Sequence, residues 1–174
     1  MDQRYRKINR TAVFTAVLCI LLVIGIYVVP VVLSLMSAKP PDVRKIERVF
    51  SRNQEEFWIV TEFLERYDAQ SIIIVEPDGT MQADFAEQRI EDQEVLRALE
   101  CLFSLRKCMS IYKSYDTVQF RWWSHWIVDI GSYVAYSENQ ARGPNVQYAT
   151  EIMPLKTDGW YYVISDYNKW RVEN

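Results

Sequence analysis

Residues 117–137 read TVQFRWWSHWIVDIGSYVAYS. Apolar and polar side chains alternate along both halves of this stretch, which is the period of a strand with one buried face. In the first half Val118, Phe120 and Trp122 alternate with Thr117, Gln119, Arg121 and Trp123. In the second half Trp126, Val128, Ile130, Val134 and Tyr136 share one parity, and Asp129, Gly131 and Tyr133 the other. Ser124–His125 reads as the tight connection between the two strands. Downstream, ENQARGPN (Glu138–Asn145) is a loop by composition, and VQYATEIMPL (Val146–Leu155) is a weaker strand. Asp158–Gly159 then turns the chain into the last strand, WYYVISDY (Trp160–Tyr167).

Upstream the pattern changes to helices and one hairpin. Val43, Ile46, Phe50, Phe57, Val60 and Leu64 recur at three- and four-residue steps, with one seven-residue step across Asn53. That stripe predicts a helix from 43 to about 67, capped by Asp42, with Arg44, Lys45, Arg48, Glu55, Glu62 and Glu65 on its wet side. The runs 72–76 and 80–85 flank Pro77–Asp78–Gly79 and read as paired strands, since proline presets one turn dihedral and glycine accepts positive φ. Glu91 to Tyr112 is expected to form a second helix capped by Asp92, its buried stripe running through Val95, Ala98, Leu102, Leu105, Met109 and Tyr112, joined by Cys101 and Cys108. The order is therefore helix, hairpin, helix, then a meander of three or four strands. Strands and helices do not alternate one for one, so the expected class is α+β, with helices packed on one face of an antiparallel sheet.

This domain follows a different kind of segment. No charged residue occurs from Thr11 to Ala38, and TAVFTAVLCILLVIGIYVVPVVLSLM exceeds the ~20 apolar residues that cross ~30 Å of hydrocarbon. A cleaved signal peptide has an apolar core of only about 7–15 residues and a small-x-small cut site; Met36 spoils that motif before Ala38. Cys19 lies mid-run without the small residue expected before a lipidated cysteine. The chain thus divides into a short basic tail (1–10), an uncleaved signal anchor in contact with membrane lipid (11–38), a linker (39–42) and an α+β domain (43–174). Arg4, Arg6, Lys7 and Arg10 crowd the tail, which places the N-terminus in the cytoplasm and the domain outside. Four extended residues reach about 14 Å, so the linker keeps the domain near the membrane surface.

Residues 40–174 hold 15 Lys/Arg against 22 Asp/Glu, a net charge of −7. With no long basic run, this domain is not expected to bind nucleic acid. Cys101 and Cys108, seven apart on the expected helix, would be ~10 Å apart along its axis, beyond disulfide reach. They read as small buried side chains.

VFSRNQEEFWIVTEFLERYDAQSIIIV (49–75), DGTMQADF (78–85), a helix ending LFS, YVAYSENQ (133–140) and PLKTDGWYYVISDYNKWR (154–171) resemble a loose set of small membrane-anchored or lipoprotein-type proteins of Gram-positive bacteria. The similarity spans Val43–Arg171. It implies an envelope location and carries over no activity or residue role; the missing lipobox departs from the lipoprotein members.

The usual chemistries find little footing. His125 is the only histidine, and a Ser124–His125–Asp129 triad would need neighbours on one strand to converge, although they mostly point apart. One histidine and two distant cysteines do not make a zinc set, and Asp78–Gly79 and Asp158–Gly159 are lone pairs rather than a calcium loop. No phosphate-cradling glycine loop occurs. No metal and no cofactor is expected. Asp84, Glu87, Asp129 and Asp166 are candidates for a carboxylate pair cleaving envelope sugars, with no assignment from sequence. On the last strand Trp160, Tyr162 and Ile164 share one face, and Tyr161, Val163, Ser165 and Tyr167 the other. Only one set can meet the helices. The remaining set, Arg121, Trp123, Tyr133, Tyr161 and Tyr167, is the candidate partner-binding surface. The competing expectation is that loop 138–145 or the C-terminal tail covers it, or that it rests against lipid.

The expected function is a non-enzymatic, single-pass anchored module that binds an envelope protein or polymer. The alternatives are a carboxylate-dependent hydrolase of envelope material and a membrane accessory protein facing the cytoplasm.

Overall fold

The computed structural model describes residues 2–36, 39–104, 108–125 and 129–173. The chain divides into two compact units, Met1–Lys39 and Pro40–Asn174. In the first, helix α1 (Asp2–Val23) runs through a π-helical turn (Ile24–Val28) into α2 (Val29–Met36). Pro30 lacks an N–H and its ring would collide with the carbonyl four residues back. The helix answers by widening to an i→i−5 pattern just ahead of it, Val29 N–H donating to the Ile24 carbonyl. Ala12–Val32 is long and apolar enough to cross a membrane, with a mean hydropathy of 2.9. All of its side chains are exposed.

The second unit is α+β. Helix α3 (Val43–Arg52) begins where the Asp42 carboxylate accepts the Arg44 N–H at 2.8 Å. The expected single helix 43–67 breaks at Asn53, whose φ of −127° and ψ of 30° are not helical; α4 (Gln54–Arg66) follows. The Asn53 side chain donates to the Val49 carbonyl at 2.7 Å and so satisfies an acceptor freed at the break. The long step in the apolar stripe marks this site: Phe50 and Phe57 flank the kink, with ring centroids 5.2 Å apart.

Strands β1 (Ser71–Ile74) and β2 (Thr80–Ala83) form the expected hairpin, somewhat shorter than 72–76 and 80–85. Gly79 sits at φ +84°, and a Cβ there would lie 2.5 Å from a Leu96 methyl. A third strand, β3 (Ala86–Arg89), extends the hairpin to the sheet edge. Its tight turn places Asp84 at φ +44° and Phe85 at φ +73°. Helix α5 (Gln93–Ser104) starts at Asp92, whose carboxylate accepts the Glu94 N–H at 2.9 Å.

The expected helix to Tyr112 is corrected. It ends at Ser104, and Ser110–Ser114 is strand β4, paired with β1 on one side and with β5 (Thr117–His125) on the other. Ile111 is buried, whereas Met109 is exposed, so the helical stripe does not continue. Two ladders of backbone hydrogen bonds outweigh the helix propensity of this segment. Cys101 and Cys108 are consequently not on one helix; both are free thiols. Leu105 lies outside the described residues.

Strands β6 (Ile130–Ser137), β7 (Ala149–Pro154) and β8 (Trp160–Asp166) complete an eight-stranded sheet ordered β3-β2-β1-β4-β5-β6-β8-β7, every pair antiparallel. The Ser124–His125 connection is also corrected. Both residues belong to β5, with His125 opposite Ile130, and the turn comes later, through Asp129 at φ +50°. The strand expected from Trp126 begins at Ile130; Trp126 and Val128 lie outside the described residues. A short helix α6 (Tyr167–Glu173) closes the chain, so Tyr167 is not a strand residue.

Helices α3, α4 and α5 bury one face of the sheet. Ile46, Phe50, Phe57, Val60, Leu64, Leu99 and Leu102 meet Ile72, Ile74, Ile111, Phe120, Val134, Trp160 and Tyr162. Trp160 is the hub, its rings within 6 Å of those of Phe50, Phe57, Trp58, Phe120 and Tyr136.

Candidate partner-binding face

The face away from the helices is read from the register. Ser110 opposes Arg121, Arg121 opposes Tyr133, Tyr133 opposes Val163, and Val163 opposes Ile152, making one cross-strand row. The adjacent row runs Ile73, Tyr112, Gln119, Ala135, Tyr161 and Pro154. Paired residues on antiparallel strands point to one side, so Arg121, Tyr133 and Tyr161 share this face. All three are half-buried. Gly131 lets the Tyr133 ring lie close to the sheet, since a Cβ there would meet that ring at 3.0 Å. The Arg121 Nε–H is covered and, among the described residues, makes no hydrogen bond.

Two members of the expected surface are elsewhere. A bulge between Arg121 and Trp123 inserts one extra residue, so Trp123 pairs with Ser132 and turns to the helix side. Its ring lies 6.1 Å from that of His125, two residues on and on the same side. Tyr167 leaves the sheet on α6 and stacks edge-on against Tyr148 at 4.8 Å, with Trp170 on Tyr148 at 5.1 Å.

The loop after β6 covers part of the face. Val146 is buried against Ala135 and Val163, with Tyr133, Ala149 and Tyr161 around them. Hydrogen bonds fix the loop: Asn145 N–H donates to the Thr117 hydroxyl at 3.0 Å, the Gln119 amide to the Asn145 carbonyl at 3.0 Å, and the Ser137 hydroxyl to the Gly143 carbonyl at 3.3 Å. Beside this cover, Ile73 and Tyr112 are half-buried and belong to the same row as Tyr161. Sequence reasoning missed Tyr112 because it was assigned to a helix. SIYKS offers no clean apolar alternation, since the charged Lys113 shares the buried parity of Ile111, so no periodic signal marks Tyr112 as a sheet residue.

No family model matches the chain, and no curated protein or solved structure does.

Ser124, Asp84 and Asp166 have local structural roles, while Asp129 precedes Ile130, the residue paired with Asp166. Ser124 opposes Gly131 and faces away from the helices, its hydroxyl donating to the Met109 sulfur at 3.8 Å; His125 faces the other way. The Asp84 carboxylate accepts the Gln70 and Ser71 N–H groups at 3.2 and 2.9 Å. The Asp166 carboxylate accepts the Lys169 N–H at 3.0 Å. Asp84 on the β2–β3 turn and Asp166 at the far end of β8 are separated by five strand spacings, roughly 24 Å at ~4.8 Å each, beyond any glycosidase pair. Glu87 lies on the exposed edge strand β3.

Two of the shifted ionisable side chains, Lys113 and Glu65, lie near the end of α4. The Lys113 ammonium donates to the Tyr67 carbonyl at 2.7 Å; burial lowers its pKa, against the pull of Glu65, Asp68 and Asp84. Burial, with Glu138 beside it, raises that of Glu65. These contacts tie β4 to the helix layer.

Proposed function

We propose that the protein is a non-enzymatic binding module held at the cell membrane by its N-terminal helix, and that it receives an envelope protein or polymer on the sheet face around Arg121, Tyr133, Tyr161, Tyr112 and Ile73. The observation that carries this reading is the side-by-side placement of Arg121 and Tyr133 in one cross-strand row and Tyr161 in the next. Arginine and tyrosine dominate binding hot spots because each brings a large, stiff contact area and a polar head. The run Ala12–Val32 supports the anchor, and the basic tail at Arg4, Arg6, Lys7 and Arg10 supports an outward-facing domain.

The test is photo-crosslinking in native membranes, with a crosslinkable amino acid at position 112 or 161 and a control at the exposed position 94 on α5. The reading expects one discrete adduct from the sheet face, none from the control, and loss of the adduct in Arg121→Glu. Equal crosslinking from all positions would refute it. The variants Asp129→Asn and Asp166→Asn should leave the adduct and the cellular phenotype unchanged; loss of phenotype at either favours a hydrolase. Protection of the domain from protease added to intact cells would turn it toward the cytoplasm.

A further inference from the structure

Helix α3 carries Arg44, Arg48 and Arg52 at successive four-residue steps, so they form one row along its exposed side. Together with Glu47, Ser51 and Lys156, which arrives from the β7–β8 turn, they line a cleft of about 590 Å³. Lys156 is held across it by Glu47 at 3.7 Å. Among the described residues no hydrogen bond or ion pair engages the guanidinium groups of the three arginines.

The charge here opposes that of its surroundings. The cleft holds four basic groups and one acid, while the remainder of residues 40–174 holds 11 basic and 21 acidic residues. A concentrated positive site on an acidic domain suits a small anion. A long polyanion would run onto the acidic surface next to it, which argues against nucleic acid. Arginine forks match the paired oxygens of a phosphate. Covalent connection supplies the source, for only four residues separate the apolar segment's end at Ala38 from α3, about 14 Å at full stretch.

We propose that the Arg44–Arg48–Arg52 row and Lys156 bind the phosphodiester headgroups of anionic phospholipid. The site is independent of the sheet face and stands without it. Each basic group at an anionic surface contributes about a fivefold gain in binding, so three arginines contribute on the order of 100-fold. The test uses the full chain in nanodiscs of phosphatidylcholine alone, or of phosphatidylcholine mixed with phosphatidylglycerol, and follows amide hydrogen exchange in α3. Exchange is expected to slow about fivefold or more in the anionic discs, to recover in high salt, and to be unaffected by lipid in R44Q/R48Q/R52Q. The charge-preserving R44K/R48K/R52K should keep most of the protection, which separates charge from any change in folding. Identical exchange in both discs, or protection that survives the glutamine substitutions, would overturn the proposal. Protection of equal size from inorganic phosphate added to phosphatidylcholine discs would also overturn it, by assigning the cleft to a soluble anion.

Discussion

Replacing Trp160 by phenylalanine should be nearly neutral, although Trp160 is the most connected side chain in the core. Its indole is 1% exposed and packs against five aromatic rings, yet its Nε1–H has no hydrogen-bond partner among the described residues. Two costs attend the change. Phenylalanine buries about 50 Å² less, roughly 1.3 kcal/mol at ~25 cal/mol/Å². The space left behind, about 40 Å³, adds ~1 kcal/mol at ~24 cal/mol/Å³. Against this sum of ~2 kcal/mol stands the removal of a buried, unsatisfied donor, which returns about 1–3 kcal/mol. The net change should therefore fall within about 1 kcal/mol, whereas Trp160→Ala, which empties the centre of the cluster, should cost about 3–5 kcal/mol. Urea unfolding of the full chain in detergent micelles, followed by far-UV circular dichroism, measures both without relying on the altered fluorescence. A loss above ~3 kcal/mol for W160F would mean that the indole N–H is bonded, and the reasoning would fail.

Three further outcomes are expected. Phe85 is fully exposed at φ +73°, a conformation costing a side-chain-bearing residue about 1–2 kcal/mol, of which glycine's greater unfolded-chain entropy takes back about 0.5–1 kcal/mol, so Phe85→Gly should raise the melting temperature of the domain slightly and not lower it. Burial pushes the Cys108 thiol up to about 12, so the folded domain keeps its proton while the unfolded chain releases it near pH 8.5. The stability this thiol contributes is present below that pH and is lost at up to ~1.4 kcal/mol per unit as pH rises toward about 12; Cys108→Ala should flatten this slope in alkaline urea titrations, and iodoacetamide should label Cys108 only after unfolding. Tyr162→Phe removes the bond from its hydroxyl to the Pro41 carbonyl at 2.7 Å, which should cost about 1 kcal/mol and speed amide exchange in the first turn of α3.

The α+β class and the first hairpin were legible because their signals are local. Pro77–Asp78–Gly79 encodes its own turn, and the caps Asp42 and Asp92 sit one residue or less from the helices they start. Misreadings arose where a partner strand decides. The helix read through Tyr112 stops at Ser104 because 110–114 is taken up by ladders on both sides, and no helical pattern within the segment reports those partners. β3 is wholly exposed and its AEQR has no apolar alternation, so it left no trace in periodicity. The bulge at Trp122 illustrates the same limit for the candidate face. Parity counting holds from Thr117 to Arg121 and reverses beyond it, which leaves Arg121 beside Tyr133 and sends Trp123 across the sheet. The basic row on α3 was visible as a wet helix side; what the sequence could not announce is Lys156 arriving from more than a hundred residues away to close the cleft.

The bond between Tyr162 and Pro41 has a mechanical consequence. Pro41 belongs to the stretch leading out of the N-terminal segment, and Tyr162 lies on β8, which is laddered to β6 on one side and β7 on the other. A pull on the linker is thus carried into β8, an interior strand, as well as into α3. The point where the domain is fastened is bonded to its sheet, so a strain applied at one end of the polypeptide is shared by residues at the other.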